Sequence, residues 1–333
     1  MAPLLPDIRR LFVVIGMLAS ACLLISCQSP PLPAYKTATQ SAWQQYGTGS
    51  ATPNPNYVPA PAPAPAAPRP MGPASDVPYP ATFSAPANAP TINAPSYVLL
   101  DGKTGRTLAF KNMDARRAVA STQKLVTALV ILDRGNLDQQ VTITAADTNV
   151  EPSKMYLKPG QKFTRRELLN VFLVKSANDA ALALARDHSG SIPAFGVAMT
   201  RKAQQLGAYQ TSFKNPHGLT EPGQYSTARD MAKIAFYAYR HSFIRNIVGR
   251  QKFTLHCAYG VRNYDNTNKL LAQMPGCNGM KTGYTSAAGR CLVSSASRSG
   301  RDVILVQLGT QTKYIWDDGK KLMEWGLQRA SSY

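Results

Sequence analysis

A chain of 333 residues, 44% apolar and 17% charged, can bury one large core or two small ones, which excludes disorder for most of its length. Its formal charge is +19; residues 1–96 hold only Arg9, Arg10, Lys36 and Arg69 against Asp7 and Asp76, so +17 falls on the remainder. A surface this basic suits anionic lipid, cell-wall polymer or carboxylate-bearing substrates. The absence of a Lys/Arg run, zinc-ligand spacing or aromatic RNA-binding motif argues against nucleic acid as a partner.

Residues 1–27 carry a basic start, Arg9-Arg10, and an uncharged apolar run from Leu11 to Ile25, the pattern of an export signal. Leu24-Ile25-Ser26-Cys27 resembles a lipoprotein box, which implies cleavage before Cys27, lipid on its thiol and, with Gln28 next, the outer membrane facing the periplasm. An ordinary signal peptide and an uncleaved anchor are the alternatives; Arg9-Arg10-Leu11-Phe12 is only faintly like a twin-arginine signal. Residues 28–95 are rich in Pro, Ala, Ser and Thr, as in Pro59-Ala60-Pro61-Ala62-Pro63-Ala64-Pro65, and read as a disordered tether. Three further cysteines follow, and Cys257 and Cys277 are a candidate disulfide in adjoining loops, leaving Cys291 as a buried thiol.

The catalytic domain is expected at 96–333. Tyr97–Leu100 and Thr107–Phe110 flank Asp101-Gly102-Lys103-Thr104-Gly105 and predict a hairpin with that Lys-Thr-Gly in its turn. Ser121 precedes an apolar helix, Lys124–Leu132, where it could be an N-cap; its spacing from Lys124 also places both side chains on one helical face. Residues 166–187 read as two helices broken at Ser176-Ala177-Asn178-Asp179. Thr227-Ala228-Arg229-Asp230 reads as a capping box, Cys291–Ser297 and Val303–Leu308 as strands, and Trp316–Gln328 as a closing helix. The fold class is therefore α/β of the α+β type: an antiparallel sheet built from both ends of the domain, flanked by helices, with a mostly helical insert.

A serine hydroxyl attacks a carbonyl at neutral pH only if a group accepts its proton. His188, His217, His241 and His256 are scattered, which leaves Lys124 as the base of Ser121, provided burial or a second cation such as Lys281 lowers its pKa. Ser176 and Asn178 then supply a hydroxyl and an amide, and Lys281-Thr282-Gly283 on a strand supplies a cation, a hydroxyl and room for a close-lying peptide.

Together with Asn215-Pro216-His217-Gly218-Leu219 and Tyr225–Ala232, these motifs resemble the penicillin-binding D-alanyl-D-alanine carboxypeptidases, of β-lactamase/DD-peptidase-like fold. The resemblance implies that Ser121 is acylated, Lys124 is its base, and Ser176 and Asn178 assist. It assigns the substrate carboxylate to Lys281 and Thr282, beside Gly283, and the oxyanion hole to the backbone N–H groups of Ser121 and Tyr284. Peptidoglycan stem peptides are the implied substrates and β-lactams the inhibitors, with no metal or cofactor. Many relatives carry a further β-rich domain and membrane helix after the catalytic domain; lipid and tether would replace that anchorage. A D,D-endopeptidase shares every one of these residues. A class A-like β-lactamase would use a Glu-x-x-Leu-Asn segment, for which Glu167-Leu168-Leu169-Asn170 is the candidate, but it lies ahead of Ser176 instead of after it. A non-catalytic, lipid-tethered wall-binding protein is the alternative outside enzymes.

Overall fold

The computed structural model describes residues 88–332, so the leader, Cys27 and most of the tether lie outside the described residues. Ile92 and Ala94 are buried, and the Asn93 amide donates to Asp318 Oδ2 at 2.7 Å, so packed structure begins a few residues before Ser96. No helix among the described residues is long and apolar enough to cross a membrane.

Strands β1 (Ser96–Asp101) and β2 (Thr107–Lys111) form the expected hairpin. A 3-10 turn, Ala120–Gln123, leads into α1 (Lys124–Arg134). The helical insert contains β3 (Gln140–Thr142), α2 (Ala145–Thr148), β4 (Lys162–Thr164), α3 (Arg165–Lys175), α4 (Asn178–Ser189), α5 (Ile192–Gln205), α6 (Ala228–Arg240) and α7 (Ser242–Val248). A hairpin of β5 (Lys252–Cys257) and β6 (Gly260–Asp265) and the short α8 (Leu270–Gln273) follow. The chain ends in β7 (Cys277–Thr285), β8 (Gly289–Arg298), β9 (Arg301–Thr310) and α9 (Ile315–Leu327).

The main sheet has five antiparallel strands in the order β2-β1-β9-β8-β7, so the first strands of the domain pair with the last, as the sequence predicts. Alternate residues feed two cores. Val98, Leu100, Ile304 and Val306 face the helical insert, whereas Leu99, Val303, Leu305 and Leu292 face α9. Burial on both faces explains why β8 and β9 read as apolar runs; each aliphatic side chain so buried contributes about 1.5–3 kcal/mol. Strand β7 is left at the edge, paired on one side only.

Local chemistry departs from expectation at three places. Thr227 caps α6 through the Asp230 amide, but the Asp230 carboxylate accepts from Gln210 N and Thr211 Oγ1, so the reciprocal half of the capping box is not made. A true capping box opens α3, where Glu167 accepts from Thr164 N at 2.7 Å and Thr164 accepts from Glu167 N. Glu167 is thereby committed to a helix end. Cys257 and Cys277 are free and lie on β5 and β7, not in adjoining loops; Cys257 Sγ contacts the Gly260 carbonyl of its own hairpin, and Cys277 Sγ contacts Gly279 O and Ser294 Oγ. Cys291 is buried, as expected, and burial pushes its thiol up to about 11.

Candidate active site

Ser121 is the second residue of the 3-10 turn and caps no helix, since the residue before α1 is Gln123. Its Oγ lies 2.8 Å from Lys124 Nζ and 3.0 Å from the His217 carbonyl oxygen, and its single proton can be given to either. The i, i+3 spacing thus brings hydroxyl and amine into contact. Two glycines let neighbouring segments close on this turn. A Cβ at Gly218, where φ is +90°, would stand 2.2 Å from the Ala120 carbonyl oxygen, and one at Gly283 would stand 2.8 Å from the Ser121 amide nitrogen. Strand β7 therefore presses its backbone against that of the serine.

Lys124 is fully buried, and its Nζ also lies 2.8 Å from Asn178 Oδ1 and 2.5 Å from the His217 carbonyl. The Asn178 amide is oriented by its Nδ2, which donates to the Glu151 carbonyl at 2.9 Å. A neutral amine has two N–H donors and one lone pair. Two of its neighbours are pure acceptors and the third is a hydroxyl able to donate, so the surroundings fit neutral Lys124 with its lone pair on Ser121. Burial, and secondarily the charge of Lys281, holds the Lys124 pKa well below that of an ordinary lysine. Asp179 opposes this as the smallest of the three influences, and its buried carboxylate accepts from the backbone amides of Met155, Leu157 and Ala180. Those bonds also hold the 151–157 segment beside Asn178.

Lys281 is 1% exposed, donates to the Thr282 carbonyl at 3.0 Å, and is lowered by burial to about 7. Keeping it charged there costs about 5 kcal/mol relative to water, more than an exposed ion pair returns. Thr282 Oγ1 donates to Thr267 Oγ1 at 2.6 Å. Ser176 ends α3 in the left-handed region, φ +66°, a conformation that costs a non-glycine residue about 1–2 kcal/mol. Backbone strain of this kind gathers at functional sites. The Ser176 hydroxyl makes no hydrogen bond to another described residue.

Ser121, Ser176, Asn178, Thr282, Gly283 and Tyr284 line one cleft of about 250 Å³, with Lys124 and Lys281 buried behind it. Lys103 sits in the β1–β2 turn, where its Nζ donates to the Gly300 carbonyl, and Glu167 does not line the cleft. Sequence reasoning missed the part played by residue 217. Its ring accepts from Leu219 N and is lowered to about 3, by burial and then by Lys124, so it stays neutral. Its carbonyl, by contrast, touches both Ser121 and Lys124. A backbone acceptor has no residue signature; Gly218, needed for the close approach, was the available hint. Arg290, whose guanidinium lies 4.4 Å from the Tyr284 ring centroid, and Trp316 also line the cleft and were not anticipated.

An antiparallel sheet closed from both chain ends, a helical insert, and a serine and lysine joined at their seam define the β-lactamase/DD-peptidase class of fold. Residues 83–312 match the D-alanyl-D-alanine carboxypeptidase family, peptidase family S11, and the chain belongs to it. It is 37% identical over 230 residues to D-alanyl-D-alanine carboxypeptidase DacF of Bacillus subtilis, covering 66% of this chain and 58% of that protein. A Streptomyces D-alanyl-D-alanine carboxypeptidase is 36% identical over 266 residues, covering 74% of this chain and 91% of the relative. This chain spans 58–65% of the length of DacF and of its Haemophilus influenzae and Escherichia coli relatives. The crystal structure of the Mycobacterium tuberculosis D-alanyl-D-alanine carboxypeptidase superposes with a TM-score of 0.70 at 32% identity, covering 74% of this chain and 96% of that one. The Streptomyces K15 DD-transpeptidase gives 0.69 at 34%, covering 72% and 99%.

A reaction that needs Lys124 neutral and Lys281 charged slows as pH falls through the Lys124 pKa and as pH rises through about 7. The profile of kcat/KM for a carboxylate-ended substrate is expected to show that alkaline limb, and Lys281→Arg, whose guanidinium stays charged, to remove it. An unchanged limb in the variant contradicts this assignment.

Proposed function

We propose that the protein is a serine D-alanyl-D-alanine carboxypeptidase that removes the terminal D-alanine from peptidoglycan stem peptides. The observation that carries this reading is the buried Lys124 Nζ, 2.8 Å from Ser121 Oγ, with no carboxylate in ion-pair contact among the described residues. Lys124 takes the Ser121 proton as Oγ attacks the carbonyl carbon of the penultimate residue. The N–H groups of Ser121 and Tyr284 receive the oxyanion, a contribution worth about 3–4 kcal/mol per donor in comparable sites. The C–N bond then breaks, and the proton passes through Ser176 to the departing amine of D-alanine, with Asn178 holding the lysine. Water hydrolyses the ester and restores the pair.

The leaving D-alanine carries a carboxylate, assigned to Lys281 and Thr282, and the extended peptide lies along the free edge of β7 beside Gly283. Substrate binding supplies the anion that raises the Lys281 pKa. A β-lactam offers the same carbonyl in a ring, so after opening its amine cannot leave and the acyl-enzyme persists. Residues 1–27 act as a lipoprotein-type signal, Cys27 as the lipidated residue and 28 to about 90 as the tether, with the domain working in the periplasm from the outer membrane.

Ser121→Ala is expected to abolish both labelling by fluorescent penicillin and D-alanine release from a pentapeptide, while Lys103→Ala changes neither; equal losses in the two variants contradict the assignment. For the anchor, Cys27→Ser is expected to move the protein out of the membrane fraction, and continued sedimentation with membranes rejects lipidation at that residue.

A further inference from the structure

Away from the cleft, Arg240 at the end of α6, Arg245 within α7 and Arg250 just beyond it are exposed. They line two adjoining grooves, of about 430 and about 790 Å³, that share Tyr239, Arg245 and Asp302. None of the three arginines forms an ion pair among the described residues. Each is placed by an aromatic ring instead: Arg240 lies 5.3 Å from the Phe236 centroid, Arg245 5.4 Å from that of Tyr239, and Arg250 6.0 Å from that of Phe253. Stacking restrains a guanidinium and leaves its N–H edge available. Arg240 Nη1 and Arg250 Nε each donate to a backbone carbonyl, those of Lys103 and Asn246.

The grooves connect to the catalytic strand. Asn278, near the start of β7, lines the larger groove, donates to the Tyr239 hydroxyl at 3.2 Å and accepts from Ser295 Oγ at 2.6 Å. Gly283, against the Ser121 amide, lies five residues further along the same strand, about 17 Å away at ~3.3 Å per residue. A polymer with one peptide in the cleft presents others at that range.

We propose that this arginine-lined groove is a second binding site for the same wall polymer, taking carboxylates of a stem peptide next to the one being cut. The proposal rests on the carboxypeptidase reading for the identity of the polymer. Guanidinium forks match carboxylates, and a second contact on an already tethered polymer forms at high effective concentration. The groove therefore adds retention on the wall without altering chemistry on a small peptide.

The test uses the full chain and a variant carrying Arg240→Gln, Arg245→Gln and Arg250→Gln. Co-sedimentation is measured with purified peptidoglycan, with and without its attached phosphate polymers, at about 0.1 M salt, where exposed charges still act over ~10 Å. The variant should be retained about ten-fold less on stripped peptidoglycan, the sum of three modest exposed ion pairs. Its kcat/KM on free pentapeptide should match the parent, which also shows that it folds. Equal retention of variant and parent overturns the proposal, as does parent binding that requires the phosphate polymers. A parent that sediments but releases no D-alanine from pentapeptide defeats the carboxypeptidase reading instead, so the two failures are distinguishable.

Discussion

Burial disfavours the charged form of an amine, and at Lys124 no carboxylate in ion-pair contact among the described residues offsets that cost. The carboxylate that acts on it, Asp179, accepts from three backbone amides, and a second buried lysine adds repulsion. The protein therefore holds an amine whose lone pair has one hydroxyl to receive a proton from. Most of the site can be understood as what is required to keep that amine dry and aimed: the His217 carbonyl and Asn178 amide occupy its other directions, and the 151–157 segment covers it.

The fold makes this arrangement by bringing distant segments to one seam. The turn bearing Ser121 opens α1, the break bearing Ser176 and Asn178 joins α3 to α4, and β7 ends the sheet with its outer edge unpaired. Contact between these pieces depends on the absence of side chains at Gly218 and Gly283, where a Cβ would overlap the backbone of residues 120 and 121. An edge strand is ordinarily a liability for aggregation; here its backbone is pressed against the turn bearing Ser121, and a peptide substrate can use its hydrogen-bonding groups.

Much of this was legible in the sequence for identifiable reasons. The strands at both ends announced an antiparallel sheet built from both ends of the domain because they are buried on both faces and so read as apolar runs. The i, i+3 spacing placed hydroxyl and amine together because helical geometry is local. What remained hidden was nonlocal or carried by backbone: the His217 carbonyl, the wall formed by Arg290 and Trp316, and the β5–β6 hairpin, whose alternating exposed residues leave little pattern. The misread capping box at Thr227 has the same origin, since Asp230 found stronger partners in a loop that local sequence does not show.

The central claim is that Lys124 is a neutral amine in the resting protein, and its ionisation can be observed directly. With lysine side chains isotopically labelled and Lys124→Arg used to assign the signal, a pH titration followed by NMR of the lysine Cε and Nζ should show Lys124 losing its proton far below the ~10.4 of a free lysine. A Lys124 signal that titrates near the ordinary value, in a protein still folded and acylated by penicillin, would contradict the account.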